Sequence, residues 1–301
     1  VLKLGDLSTA ELRQRLVAGL SLRIGPFRYL VHSGLPRVAG GLAQLYADFP
    51  LDPSGGFHDF HVRIDRVAGW RRWVRPQVNF WWDGHRPFKP LPADHAYALL
   101  EWGMNWCVAA YAHHYLLLHA AVLERRGLCV ILPGEPGAGK STLTAALMLS
   151  GWRLLSDELT IVDRNDGRIE PLARPVSLKN QSIDVIRAFD PQAVFGETAN
   201  DTHKGTVSHL KPSLASVAGL LDKGRPAHIV FPRWQHGAET RLSVRPKADA
   251  FMHLATHAFN YSLLGRLGFD LCANLVDCCD CWDFSYSRLH EALRSFDELV
   301  A

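Results

Sequence analysis

The sequence predicts an α/β chain in two parts: an N-terminal α+β region over residues 1–114, and a domain over residues 115–301 built around a strand, a glycine-rich loop and a helix. Three observations lead there. The apolar run Leu128 to Leu132 ends at Gly134-Glu135-Pro136-Gly137-Ala138-Gly139-Lys140-Ser141, and Ser141 to Ser150 then alternates small and large apolar residues until Gly151 stops it. The first hundred residues instead mix helical spacing with short runs of β-branched and aromatic residues. With 301 residues and a hydrophobic fraction of 48%, the chain has enough apolar surface for a sizeable core, which excludes a disordered class.

Taken in order, Thr9 to Leu20 places Leu12, Leu16 and Leu20 four apart behind Ser8, a good cap, and predicts a helix. Leu22 to His32, Phe57 to Asp65 and Gln77 to Trp82 predict strands, broken by Gly25-Pro26, Gly55-Gly56 and the hairpin signal Asp83-Gly84. Pro92 to His114 predicts a long helix with an apolar stripe through Leu99, Met104, Trp106 and Ala110. The run Leu116 to Leu123, the turn Glu124 to Gly127 and the run Leu128 to Leu132 predict two strands leading into the loop. Gly151 to Asp157 returns the chain to the sheet, and Leu159 to Asp163 leads into a turn at Asn165-Asp166-Gly167. Further strands are expected at His228 to Phe231 and Arg241 to Val244, and helices at Ala248 to Asn260 and Ser285 to Phe296. There is no internal repeat.

The net charge of +3, the charged fraction of 21% and a pI near 8.6 give no basic extreme, which argues against nucleic acid as a partner. The most basic stretch, Arg66 to Arg75, interleaves Arg71, Arg72 and Arg75 with Trp70 and Trp73 and reads as the outward face of a strand or turn. No secretion signal and no apolar run of ~18 residues is seen, so the expectation is a soluble, cytoplasmic protein that does not use a membrane. Its six cysteines should be reduced.

The pattern G-x-x-x-x-G-K-S between a strand and a helix carries a mechanism. Glycines 134, 137 and 139 let backbone N–H groups turn toward phosphate oxygens, and the helix opening at Lys140 adds its positive end. Gly134 to Ser141, with Thr142, are therefore the expected nucleotide-binding residues. Lys140 would reach the β- and γ-phosphates of ATP, and the Ser141 hydroxyl would ligate Mg²⁺. Asp157 and Glu158 follow the helix directly, so the strand carrying them is expected beside the loop strand. One carboxylate could take the proton of an attacking hydroxyl and the other bind Mg²⁺, the two dividing these roles.

These residues resemble a known family. His119 before the loop strand, Gly134 to Ser141, and Gly151-Trp152-Arg153-Leu154-Leu155-Ser156-Asp157-Glu158 look like the HPr kinase/phosphorylase core, which is related to phosphoenolpyruvate carboxykinase. The segments Arg174 to Asn180, His203-Lys204-Gly205-Thr206, and Asn260-Tyr261 through Gly265 to Phe269 more narrowly resemble HPr-kinase-related proteins of bacterial gene clusters, some linked to modified-peptide biosynthesis. The resemblance implies a P-loop core with a mixed sheet and an ATP- and Mg²⁺-dependent kinase. Its acceptor would be a serine hydroxyl on a peptide or small protein. It also implies that His119 lies near the acidic pair and could hold Asp157, whereas from the residues alone a strand histidine between Leu118 and Ala120 reads as a hydrogen-bonded core group. The second acidic residue is Glu158 where the family has aspartate, and the segment that HPr kinases carry downstream of the acidic pair has no clear copy here, so HPr itself is not the expected acceptor. Lys204 and Lys179, ahead of Arg174, are cations in turns that could neutralise charge on a transferred phosphoryl group.

Two other functions use the same loop: a nucleotide hydrolase that drives a conformational change, and a non-catalytic nucleotide-binding regulator, which would be expected to lack the acidic pair. The sequence leaves open whether the chain is a monomer or a homo-oligomer. Cys272, Cys278, Cys279 and Cys281 lack zinc-knuckle spacing and read as buried free thiols, so no stoichiometric zinc is expected. His113-His114 and the i, i+4 pair His253 and His257 invite a metal reading but lack a metalloprotease glutamate, and read as core or surface residues. The tryptophans crowded before the loop, among them Trp81, Trp82, Trp102 and Trp106, read as core, with an exposed subset open to docking a peptide.

Overall fold

The computed structural model describes residues 2–52, 56–69, 74–135 and 137–301. Trp70, Arg71, Arg72 and Trp73 of the basic stretch, Gly55 of a predicted break and Pro136 of the loop lie outside the described residues. The chain is mixed α/β and its contacts divide it into two compact units. One comprises Val1–Val108, Ser177–Asp184 and Gln192–Lys211, and the other Ala109–Val176, Val185–Pro191 and Pro212–Ala301. The boundary expected from the sequence is at 114; by contacts the first unit runs to Val108 and also takes in the two later segments. Among the described residues, no helix is long and apolar enough to cross a membrane.

The first unit opens with α1 (Thr9–Ala18), whose cap is reciprocal: the Glu11 N–H donates to Ser8 Oγ at 3.3 Å and the Ser8 N–H to Glu11 Oε2 at 2.8 Å. The helix ends two residues before the predicted Leu20, because Gly19 at φ +116° breaks it and Leu20 begins a strand. The hairpin β1 (Leu20–Ile24) and β2 (Phe27–Ser33) occupies the run predicted from 22 to 32 and turns at the expected break, Gly25-Pro26. Helix α2 (Pro36–Leu45), not foreseen from the sequence, is followed by β3 (Phe60–Arg66), β4 (Gln77–Trp82) and β5 (Leu91–Pro92). Asp83 and Gly84 make the expected turn, both at positive φ, with Trp82 and His85 exchanging backbone hydrogen bonds. The sheet runs β1-β2-β3-β4-β5, with only β2 and β3 parallel. Helix α3 (Ala96–Tyr111) is shorter than the predicted Pro92 to His114, because a 3₁₀ turn at Ala93–His95 precedes it and the chain turns out after Tyr111.

The predicted apolar run at 116–123 is two strands, β6 (Tyr115–Leu118) and β7 (Ala120–Arg125), parted at His119. After the turn at Arg126 and Gly127, both at positive φ, come β8 (Leu128–Pro133), α4 (Lys140–Leu149), β9 (Arg153–Ser156), β10 (Thr160–Asp163) and β11 (Ile169–Glu170). Next are β12 (Val176–Lys179), α5 (Gln181–Phe189), β13 (Ala199–Thr202) and β14 (Gly205–Leu210), with the three strands forming one sheet. The chain finishes with α6 (Leu214–Ala218), β15 (Pro226–Trp234), β16 (Arg241–Val244), α7 (Lys247–His257), α8 (Tyr261–Leu264), α9 (Arg266–Cys278), β17 (Asp280–Tyr286) and α10 (Leu289–Leu299). The predicted helix from Ser285 thus begins at Leu289 instead; Phe284 and Tyr286 alternate inward, a strand period, and belong to β17.

The main sheet of the second unit runs β16-β17-β15-β8-β7-β9, with β15 parallel to both β8 and β17. The predicted adjacency of the loop strand and the acid-bearing strand is corrected here. β7 lies between β8 and β9 and pairs antiparallel with both, because the tight turn at Arg126-Gly127 fills that edge of β8 first. On one face Val122, Ile131 and Ile229 pack with Leu254 of α7 and Leu275 of α9. The intervening residues Ala121, Leu123 and Val130, also buried, face the other way.

Candidate functional site

The register of the main sheet brings three separated segments to one end. Ala120 at the start of β7 pairs with Pro133 at the end of β8, and Val122 pairs with Ser156 at the end of β9. His119, Gly134 and Asp157 therefore leave the sheet on the same side. Thr160 of β10 pairs with Leu118 of β6 and donates its hydroxyl to the Ala120 carbonyl at 3.0 Å. The stretch Asp157-Glu158-Leu159 is thereby held alongside His119 to Ala121. Asp157 is buried, with 7% exposure, and Glu158 is half-buried.

The loop from Gly134 to Gly139 joins β8 to α4 as expected. Gly137 (φ +90°) and Gly139 (φ +84°) hold left-handed conformations that disfavour a side chain. A Cβ on Gly137 would meet nothing within 4 Å, so open space lies over it. A Cβ on Gly139 would lie 2.6 Å from Tyr286 Oη and 2.8 Å from Trp234 Cβ. The loop's carbonyls are held from that side: the Trp234 N–H donates to Ala138 O at 3.0 Å and the Tyr286 hydroxyl to Gly139 O at 3.1 Å. Burial pushes the Tyr286 phenol up, which keeps it a donor.

Gly139 is the N-cap of α4 and supplies no side-chain cap, so the N–H groups of the helix's first turn are available to an anion. Lys140 opens the helix and is largely buried, its Nζ 3.4 Å from His119 Nε2. Ser141 and Thr142 follow it, each half-buried. Left-handed glycines, open space over Gly137, uncapped helix N–H groups and a buried ammonium fit a phosphate group. A hydroxyl and nearby carboxylates are hard oxygen donors that suit Mg²⁺.

Glu135 stands apart from the other loop residues. Its Oε1 lies 2.7 Å from His257 Nε2 at the end of α7, so its side chain is turned toward that helix. The His257 carbonyl in turn accepts from the His119 N–H at 3.1 Å, and the rings of His119 and Phe259 meet edge to face at 5.7 Å. Burial, with the charges of His257 and Arg245, lowers the His253 pKa. The sequence reading missed this involvement of α7 because His257 is distant from the loop along the chain. The helical spacing of the two histidines was the only available signal.

Of the predicted cations, Arg174 is buried in the second unit, while Lys179 and Lys204 belong to the first. There they sit about His203, whose pKa is lowered by burial and by the charges of Lys204, Lys179 and His95. The Lys204 ammonium lies 5.4 Å from the Trp102 ring centre. The two turns interlock, with the Thr206 N–H donating to Asn180 Oδ1 at 3.0 Å and the Asn180 N–H to Thr206 O at 2.8 Å. Trp81 is flanked by Arg63 and Arg86, at 4.8 and 5.1 Å from its ring centre, beside an open cleft that His32 and His61 also line.

The cysteines are free thiols, the sulfurs of Cys278 and Cys279 lie 3.9 Å apart, and of the C-terminal cluster expected to be buried Cys278 is instead exposed. A hydrogen bond from Cys279 brings the exposed Cys278 down to about 7, while burial pushes Cys272 up to about 12.

No family model matches the chain, and no curated protein matches it. Among solved structures, the chain is similar to the Hpr(Ser) kinase/phosphatase of Coxiella burnetii at 14% sequence identity, covering 61% of this chain and 96% of that one, with a TM-score of 0.26. At that identity and TM-score the likeness carries no weight for fold or activity.

Proposed function

We propose that the protein is an ATP- and Mg²⁺-dependent kinase that transfers a phosphoryl group to a hydroxyl, with a serine of a peptide or small protein as the acceptor. The observation that carries this reading is the sheet register, which delivers the loop, His119 and the acidic pair to one end of the second unit. The sequence resemblance described above supports the same reading. Bound ATP–Mg²⁺ would supply the phosphoryl group. Backbone N–H groups of Gly137 to Ser141 hold phosphate oxygens, and Lys140 neutralises their charge from a buried position where its field is weakly screened. The Ser141 hydroxyl is the metal ligand, with Glu158 assisting. Asp157 accepts the proton of the acceptor hydroxyl, and His119 orients it. Lys204 and Lys179 of the first unit are added to this reading as anion-binding side chains, and acceptor docking is assigned to that unit.

The test separates transfer from hydrolysis. Lys140→Ala should lower ATP affinity at least about 100-fold, or abolish turnover, with the circular dichroism spectrum unchanged. Asp157→Asn should bind ATP normally and transfer phosphate about 10²-fold more slowly at saturating Mg²⁺. Glu158→Gln should recover part of its rate as Mg²⁺ is raised. Phosphate release that ignores every hydroxyl acceptor would make the protein a hydrolase, and normal ATP binding by folded Lys140→Ala would end the nucleotide reading altogether.

A further inference from the structure

The strongest cluster outside the proposed reaction lies where the loop meets α7. Glu135, His253 and His257 each bring one ligand atom within 4.8 Å of the others. The two histidines are one helical turn apart, and their rings stack at 4.3 Å with an interplanar angle of 19°, so their in-plane lone pairs run nearly parallel and one ring has to turn for both to meet a single ion. The His253 ring also packs edge-on against Phe231, at 4.8 Å.

The close approach of Glu135 and His257 needs a proton or a metal ion between them. His257 Nδ1 lies 2.9 Å from the His253 carbonyl, which can only accept, so Nδ1 carries a proton. In the neutral ring Nε2 is then a lone pair, and it faces a carboxylate oxygen at 2.7 Å. Two acceptors at that distance require a proton or a metal ion between them. A proton would settle the Glu135–His257 pair alone. It would leave His253 Nε2, which is shielded from solvent and has no hydrogen-bond partner among the described residues. One metal ion would satisfy all three groups.

We propose that Glu135, His253 and His257 bind one divalent transition-metal ion of the zinc class, separate from any Mg²⁺ at Ser141. Two imidazoles and a carboxylate select such an ion over Mg²⁺, and three protein ligands leave a fourth position for water. The His257 Nδ1–H bond to a backbone carbonyl is the outer contact that fixes the tautomer of a ligating histidine. Metal bonds of ~2.0–2.1 Å set tetrahedral ligands about 3.3 Å apart, so Glu135 has to swing outward from His257 by roughly 0.6 Å, and ligand atoms that lie up to 4.8 Å apart have to close by as much as about 1.5 Å. The Glu135 side chain, 63% exposed, is free to make its swing. The ion would tie the loop to the end of α7, whose His257 carbonyl already holds the backbone of His119. The opposing influence is the Arg245 guanidinium, 4.1 Å from the centre of the Phe231 ring, which is itself paired with Asp283 at 2.6 Å.

The test is a Co²⁺ titration of the full chain stripped with chelator, followed by ligand-field absorbance and checked by equilibrium dialysis with Zn²⁺. It is run without nucleotide, so its outcome is independent of the kinase reading. One equivalent should bind, and Glu135→Gln, His253→Gln and His257→Gln should each weaken it by at least about 100-fold, the upper range for losing even an outer contact. Glu135→Gln alters an exposed side chain, so its effect is not one of folding. Cys278→Ser should leave binding unchanged. Absence of binding, binding that survives Glu135→Gln and His257→Gln, or binding lost with Cys278→Ser would each overturn the site.

Discussion

A Cβ added to Gly103, in α3 of the first unit, would lie 2.0 Å from the ring of Phe80, and one added to Gly41 would lie 2.1 Å from the ring of Tyr97. A Cβ added to Gly137, in the loop of the second unit, would meet nothing within 4 Å. In the first unit, then, glycine makes room for an aromatic ring, at residues whose helical backbone would suit any side chain. In the loop it serves a left-handed backbone beneath open space. A glycine's role thus follows from what surrounds it. Gly41 and Gly103 face rings that an added Cβ would strike, whereas Gly137 faces open space.

The largest effect expected from this contrast is at Gly103. Gly103→Val must displace Phe80 or the helix and should cost about 3 kcal/mol, at the upper end of overpacking, read as a lower urea midpoint with an unchanged slope. A stability loss under ~0.5 kcal/mol would show that the ring has room to move and would break the comparison. Gly137→Ala should cost less, about 1 kcal/mol, because only backbone conformation opposes it. Its main effect should be on the ligand, with ATP affinity down about tenfold by calorimetry. A variant that loses stability yet keeps full affinity would make Gly137 a packing residue like Gly103.

The smallest effect concerns a part of the second unit away from the loop. Lys223 bridges Asp163, Asp166 at 3.2 Å and Glu170 at 3.0 Å. Burial raises the Asp163 pKa, but the hydrogen bonds from Lys223 and the Asn165 N–H outweigh it, and the group is held below its ordinary value. Its folded pKa lies under the unfolded value of about 3.9, so the stabilisation is complete above that pH and is lost as pH falls through the folded pKa. Lys223→Ala should therefore make the melting temperature less sensitive to pH below about 4 while lowering it modestly at neutral pH. An unaltered acid limb would remove Lys223 as the cause.

Much of the first unit was legible where the signal was local. The Ser8 cap, the strand Gln77–Trp82 and the Asp83-Gly84 turn need only neighbours within a few residues. Where two patterns overlap, the reading slipped. The run from 116 to 123 shows no break in hydrophobicity, yet the chain bends at His119 because β6 pairs with β10 and β7 with β8. Ser285 and Tyr286 fit the start of a helix by composition, but β15 offered Arg233 and Trp234 as strand partners and held them in β17.

By itself the sequence determined the loop between β8 and α4 and the placement of an acidic pair after the next strand, because glycine conformations, a strand and a helix start are fixed by the backbone of neighbouring residues. Only the tertiary structure decided that β7 separates the loop strand from the acid-bearing one, that Lys179 and Lys204 pack in the first unit, and that Glu135 meets His253 and His257. Those outcomes depend on which sheet edges remain free and on side chains brought together from distant parts of the chain, and local propensity carries no information about either.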